Sequence, residues 1–246
     1  MKFSIITATY NREDTVADAI ESLHGQSFGN FEHLVQDGRS ADRTVEIVKA
    51  SADARTFLES KPDSGIYDAI NRAISRATGD VIGLLHSDDF FASDRVLEKV
   101  AAAFADPEVD AVYGDLHYVC KHDPKRIVRK WVSCPFLPDL LKTGWMPAHP
   151  TLFLRRSIVD RLGAYDTSYS IAADYDAILR YFSEPGFTAV YLPAVLVKMR
   201  VGGESNRSLE RVLRKSQEDY RALRGNEIGG IATLVRKNAS KVRQFF

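Results

Sequence analysis

Apolar and polar positions fall into blocks of two alternating kinds over the opening third of the chain. FSIITATY, FEHLVQDG and VIGLL are short, apolar and rich in β-branched residues, the pattern of buried strands. Between the first two, EDTVADAIESLHGQ puts Val16, Ile20 and Leu23 on one helical face. SADRTVEIVKAS predicts a helix carrying Val45, Ile47 and Val48, opened by Ser40 or Asp42. SGIYDAINRAISRATGD predicts another, with a stripe of Ile66, Ile70 and Ala73 or Ile74, a cap from Asp63 or Ser64, and a stop at Gly79. Strands alternating with helices predict an α/β fold with right-handed crossovers and a mostly parallel central sheet. Ligands bind such sheets beyond the carboxyl ends of the strands. Thr9-Tyr10-Asn11, Asp37-Gly38 and Ser87-Asp88-Asp89 are therefore expected to converge on one crevice.

The remainder is less regular. DRVLEKVAAAF predicts a helix, DAVYGDLHYVC and RIVRKWV an antiparallel strand pair, and AHPTLFLRRS a strand before the short helix SIVDRLGAY. AADYDAILRYF reads as a helix with Tyr175, Ile178, Leu179 and Phe182 on its apolar face. TAVYLPAVLVKMRVGG is strand-like, and SLERVLRKSQEDYRALRG is a charged amphipathic helix. The tail interleaves Arg236, Lys237, Lys241 and Arg243 with Leu234, Val235 and Val242. Such a helix either lies on an anionic membrane or packs on the domain, and both readings stay open.

At 246 residues, 45% hydrophobic and 27% charged, the chain suits one large domain, alone or with a short appendage. The net charge of zero gives no global attraction to nucleic acid, so a charged partner must meet a local cluster. Two cysteines, Cys120 and Cys134, form no CxxC and argue against a disulfide framework or a zinc site. No stretch approaches the ~18–20 apolar residues of a membrane span. The expectation is a cytoplasmic protein, at most peripheral on the inner membrane.

The chemistry concentrates in carboxylates. Asp88 and Asp89 end an apolar strand, where adjacent acids repel and unpaired burial is costly. Such a pair suits Mn²⁺ or Mg²⁺, hard cations that take oxygen ligands and leave positions open for phosphate. The alternative is an exposed turn or a helix cap, although Ser93 and Asp94 stand better placed to cap. Asp174 opens a helix, either as an acid favoured by the helix dipole or as a general base. Tyr10 stands at a strand end, to stack on a base or join the core. His149, in PAHPTLF, is a candidate for diphosphate or acceptor contact, while His86 orients the acidic turn. MRVGGESNRS reads as a lid whose Arg200 and Ser205 reach a diphosphate, or as a surface loop.

Taken in order, SIITATYNREDTVADAIESLHGQSF, EHLVQDGRSADRTVEIV, DSGIYDAINRAISRATGDVIGLLHSDD, YGD, HPTLFLRRS and AADYDAILR resemble family 2 glycosyltransferases over roughly residues 2–206. These are inverting enzymes of GT-A fold, many of which build bacterial lipopolysaccharide, capsule or exopolysaccharide. The resemblance implies that Ala8 and Tyr10 meet the nucleotide base, which Asp37 hydrogen-bonds, and that Asp68 and Asn71 face the nucleotide-sugar cleft. It assigns Asp88 to the ribose or sugar, Asp89 to Mn²⁺ or Mg²⁺, and the catalytic base to Asp174, with Asp176 the less favoured candidate. Ala173 stands where the family usually has Glu. It further implies a nucleotide-sugar-binding half (1–115), an acceptor and base half (116–206), and a C-terminal helical extension (207–246). The expected reaction moves a sugar from a UDP-sugar to a glycan or lipid-linked glycan hydroxyl. A sugar-phosphate nucleotidyltransferase is the rival, but TATYNRED is no glycine-rich loop; a non-catalytic sugar-binding subunit is the other.

Overall fold

A computed structural model describes residues 1–201 and 209–242. Its core is a nine-stranded sheet in the order β3 (Thr56–Ser60), β2 (Phe31–Asp37), β1 (Phe3–Thr9), β4 (Val81–Leu84), β8 (Phe153–Arg155), β6 (Ala111–Val119), β9 (Ala189–Arg200), β5 (Asp89–Phe91), with β7 (Ile127–Trp131) paired to β6. Strands β1, β2, β3 and β4 are parallel. They are joined through helices α1 (Val16–His24), α2 (Thr44–Ser51) and α3 (Ile66–Ile74), so their carboxyl ends share one edge. All seven residues of β1 are buried. Phe3 and Ile5 enter one hydrophobic cluster and Ile6 and Ala8 another, as the two-residue period of a strand covered on both faces requires. Gly83 of β4 lets the Phe153 ring cross the strand: a Cβ there would come within 2.5 Å of it.

Beyond β4 the parallel order breaks. β8 runs antiparallel to β4 and to β6. β9 joins β6 in parallel, and β5 lies antiparallel on β9. β7 pairs with β6 antiparallel. Helices α4 (Val96–Ala103), α5 (Arg156–Leu162), α6 (Ala173–Phe182), α7 (Leu209–Gly225) and α8 (Ile231–Val242) complete the chain. Ala222 and Leu223 of α7 share the core cluster of α6, and Leu234 of α8 packs against it. Among the described residues no helix is long and apolar enough to cross a membrane.

Several local expectations change. Ile66 is 47% exposed; the buried face of α3 runs through Ala69, Ile70 and Ala73. The helix ends at Ile74, well before Gly79, whose missing Cβ instead admits Ser4 and Lys2. The tail helix turns Lys237 inward, against Asp219 at 2.7 Å, so this cation is lost to any membrane-facing surface.

A buried histidine makes stability depend on pH. Thr7 Oγ1 donates to the Leu85 carbonyl at 2.7 Å, so His33 Nε2, 3.0 Å away, donates to Thr7 and leaves Nδ1 buried without a partner. Burial lowers the His33 pKa to about 3. The unfolded chain, near the ordinary value of ~6.5, then binds more protons than the native state, and stability falls as pH drops from ~6.5 toward that value. His33→Gln is expected to flatten the acid limb of stability, measured by urea unfolding, by at most about 1.4 kcal/mol per pH unit. An unchanged limb would show that His33 already carries its proton.

Candidate active site

Three loops meet at the carboxyl edge of the parallel strands. The Gly38 N–H donates to the Thr9 carbonyl at 2.9 Å, and Asn11 is held in the left-handed region (φ 51°) by exchanging hydrogen bonds with Ser40 and Ala41. A Cβ on Gly38 would lie 2.7 Å from Asp63 Oδ2 and 3.3 Å from the Tyr10 ring, so glycine allows Tyr10, Gly38 and Asp63 to adjoin. Tyr10 is 58% exposed there, a ring on the cleft wall and not a core residue. Ala8 is buried beneath it in the core. The Asp37 carboxylate is fully buried and accepts hydrogen bonds from the Ser40 amide, the Ser40 hydroxyl and the Ser60 hydroxyl. A carboxylate has about four lone-pair sites, so one remains.

The β4 strand ends in a tight turn in which the Asp89 N–H donates to the His86 carbonyl at 2.9 Å and Thr15 Oγ1 donates to the Ser87 carbonyl. Asp89 is fully buried, and neither carboxylate oxygen has a hydrogen-bond partner. Burial, then the charge of Asp88, push its pKa well above the usual carboxylate range, with Arg200 pulling the other way. An ionised carboxylate so placed needs a cation. The expected lid arginine is not on a loop. Arg200 ends β9, 6% exposed, donating to the Asp88 carbonyl at 3.1 Å, pairing with Asp18 and lying over the Phe90 ring. It braces the acidic turn from behind, because the strand pairing of β5 with β9 carries it there. Ser205 lies outside the described residues.

The second half brings Asp174 to this turn. Asp174 stands in the first turn of α6, 28% exposed, where its Oδ1 accepts from the Tyr175 N–H at 2.8 Å and lies 3.3 Å from the Tyr67 hydroxyl, which donates to the Ile171 carbonyl at 2.7 Å. Its Oδ2 faces His149 Nδ1 at 4.0 Å. His149, on a short 3-10 turn, shares a 2.8 Å hydrogen bond with the Tyr165 hydroxyl, and its ring lies 6.0 Å from that of His86. His86 and His149 thus bridge from the acidic turn to Asp174. Burial lowers the pKa of His86, against the pull of Asp88 and Asp174, and lowers His149 to about 4. Burial works against ionisation of Asp174, yet His149, Lys215, Lys237 and the Tyr175 amide outweigh it and hold the carboxyl below its ordinary range.

Other candidates serve the scaffold. Asn71 accepts from the Tyr165 N–H at 3.0 Å and donates to the Tyr165 carbonyl at 2.7 Å, so its amide holds Tyr165 in place instead of turning to the cleft. Asp68 accepts from the Ser64 amide and pairs with Arg72, opening α3. Asp176 is buried and held by Asn226 and Arg180, which leaves Asp174 as the available carboxylate. Sequence reasoning missed the roles of Tyr67 and Tyr165, whose rings stack at 5.7 Å beside Asp174. Tyr67 and Asn71 are one helical turn apart in IYDAINRA, a spacing that places both on one face.

The residues at the turn fit a hard divalent cation. Asp89 offers two unpartnered oxygens, and among the described residues no group of three or more His, Cys, Asp or Glu surrounds one point. A cation there would complete its shell with diphosphate oxygens and water, the habit of Mg²⁺ and Mn²⁺.

The fold is that of GT-A glycosyltransferases. S. aureus TarS 1–349, solved in complex with UDP-GlcNAc, is similar with a TM-score of 0.71 and 19% identity, over 92% of this chain and 65% of that one. Mannosyltransferase PcManGT from Pyrobaculum calidifontis, solved with GDP-Man and Mn²⁺, gives a TM-score of 0.64 and 20% identity, over 98% and 64%. This chain spans 39% of the longer TarS structure. Residues 4–163 match Glycosyl transferase family 2, and the chain belongs to that family. A Mycobacterium tuberculosis PGL/p-HBAD biosynthesis glycosyltransferase is 32% identical over 213 residues, 83% of this chain and 79% of the relative. Putative glycosyltransferase EpsE of Bacillus subtilis is 32% identical over 205 residues, 81% and 73%.

Proposed function

We propose that this chain transfers a sugar, with inversion, from a nucleoside-diphosphate sugar to a hydroxyl of a glycan or lipid-linked glycan, as in bacterial surface polysaccharide synthesis. The observation that carries the reading is the convergence of the Asp89 turn, after β4, and Asp174, at the start of α6, across the His86–His149 pair. Inversion needs the base opposite the leaving group, and two carboxylates from separate segments supply that separation.

Tyr10 offers its exposed ring to the base, Asp37 its remaining lone pair, and Asp88 its carboxylate to the ribose or sugar. Asp89 would hold Mn²⁺ or Mg²⁺, whose charge would stabilise the departing diphosphate. Asp174 takes the acceptor proton on Oδ2, since Oδ1 is engaged by the Tyr175 amide. Its depressed pKa keeps it ionised at neutral pH, and His149 and Tyr67 fix its direction. TarS and PcManGT, solved with UDP-GlcNAc and with GDP-Man, support a nucleotide-sugar donor; we favour UDP.

The test is a donor panel. UDP-, GDP- and dTDP-sugars are incubated with the protein and Mn²⁺, and released nucleoside diphosphate is measured. Release from a UDP-sugar, removed by EDTA, is expected. No release from any donor, with or without acceptor glycans, would favour the non-catalytic subunit.

A further inference from the structure

From the geometry we infer that Glu218 of α7, beyond the segment matched to the family, is a positioning residue for Asp174. The inference rests on the reading of Asp174 as the base. Helix α6 begins without a local cap: Ala172 occupies the N-cap position and offers no side-chain acceptor. Capping side chains usually satisfy the free amides at such a start. Glu218, on another helix, instead holds the amides of the loop that leads into this start. Its Oε1 accepts from the Ser170 N–H at 3.1 Å, and its Oε2 from the Ile171 and Ala172 N–H groups at 2.8 and 2.9 Å. Glu218 as a whole is 9% exposed.

The opposite side of the same loop is also held. The Tyr67 hydroxyl donates to the Ile171 carbonyl at 2.7 Å and lies 3.3 Å from Asp174 Oδ1. The loop that leads into Asp174 is thus clamped between α3 and α7, its amides on Glu218 and its carbonyl on Tyr67. Asp219, the next residue, pairs with Lys237 of α8, and that ammonium lies 3.0 Å from the centre of the Tyr175 ring. The C-terminal helices therefore hold the chain on both sides of the base, and Glu218 does so through the backbone amides of its loop.

Three charge-assisted bonds to one loop fix its backbone, and a displacement of about 1 Å at a catalytic group costs up to ~100-fold in rate. Glu218→Ala is expected to slow nucleoside diphosphate release from the best donor of the panel by about 10- to 100-fold with UDP affinity unchanged. Glu218→Gln, which keeps one strong acceptor oxygen, falls between that variant and wild type, and carries the test should Glu218→Ala fail to fold. Hydrogen exchange at the amides of Ser170, Ile171 and Ala172 should accelerate in both. The deciding measurement repeats each substitution in an Asp174→Asn background. If Glu218 acts through Asp174, its cost disappears there. An equal cost in both backgrounds, or wild-type turnover in Glu218→Ala, overturns the inference and leaves the base assignment standing. Near-normal turnover in Asp174→Asn alone overturns the base assignment, and with it this inference.

Discussion

Asp174→Asn is expected to bind UDP and Mn²⁺ as wild type does and to lose transfer by about 10²–10⁴-fold, the usual share of a general base. The substitution keeps the shape and an oxygen for the Tyr175 amide, so the loop stays in place while the proton acceptor is gone. Initial rates with a saturating UDP-sugar and acceptor read the loss; calorimetry reads the unchanged affinity. A pH profile adds the sign. The base must be ionised, and its lowered pKa moves the acid limb of kcat below the ordinary aspartate value of ~3.9. Activity should hold on acidification to about pH 5 and fall only beyond it. A limb near 6.5 would assign the proton to a histidine, against the about 4 of His149.

Asp89→Ala is expected to remove Mn²⁺-dependent donor binding and, at neutral pH without metal, to raise Tm. The two effects share one cause. A fully buried carboxylate with both oxygens unpartnered weakens the fold, and leaving one such group unsatisfied costs about 1–3 kcal/mol. Its raised pKa has the corresponding sign: the cost grows as pH rises past the unfolded value of ~3.9, where the native state resists giving up the proton. A bound cation reverses this cost. Mn²⁺ at a hundred times its Kd should stabilise wild type by about 2.7 kcal/mol and leave the variant unmoved. Thermal melts with and without Mn²⁺ show both. A variant that melts lower and still responds to Mn²⁺ would place the metal elsewhere.

The parallel half was legible because its signals are local. Strands β1, β2 and β4 are buried on both faces and read as apolar runs, and the helices between them carry one-sided stripes. The carboxyl-edge rule then groups Tyr10, Asp37 and the Asp88–Asp89 turn from the sequence alone. What stayed hidden depends on partners remote in sequence. β3 is an edge strand with alternating partial exposure and no apolar run. β5 is three residues long and exists through pairing with β9, which also turns Arg200 from an expected lid into a brace. Asn71 looks like a ligand contact until Tyr165, 94 residues away, is found on both ends of its amide. Glu218 sits 46 to 48 residues past the amides it holds, on a helix whose charge pattern reads as solvated surface.

In the proposed function Asp89 binds the donor through a metal while Asp174 acts on the acceptor in the same cleft. Calorimetric titration of UDP into wild type, Asp89→Ala and Asp174→Asn, each with and without Mn²⁺, tests it most directly. The same Mn²⁺-dependent binding is expected for wild type and Asp174→Asn, and none for Asp89→Ala. Binding of UDP by Asp89→Ala with undiminished affinity and Mn²⁺ dependence would contradict it.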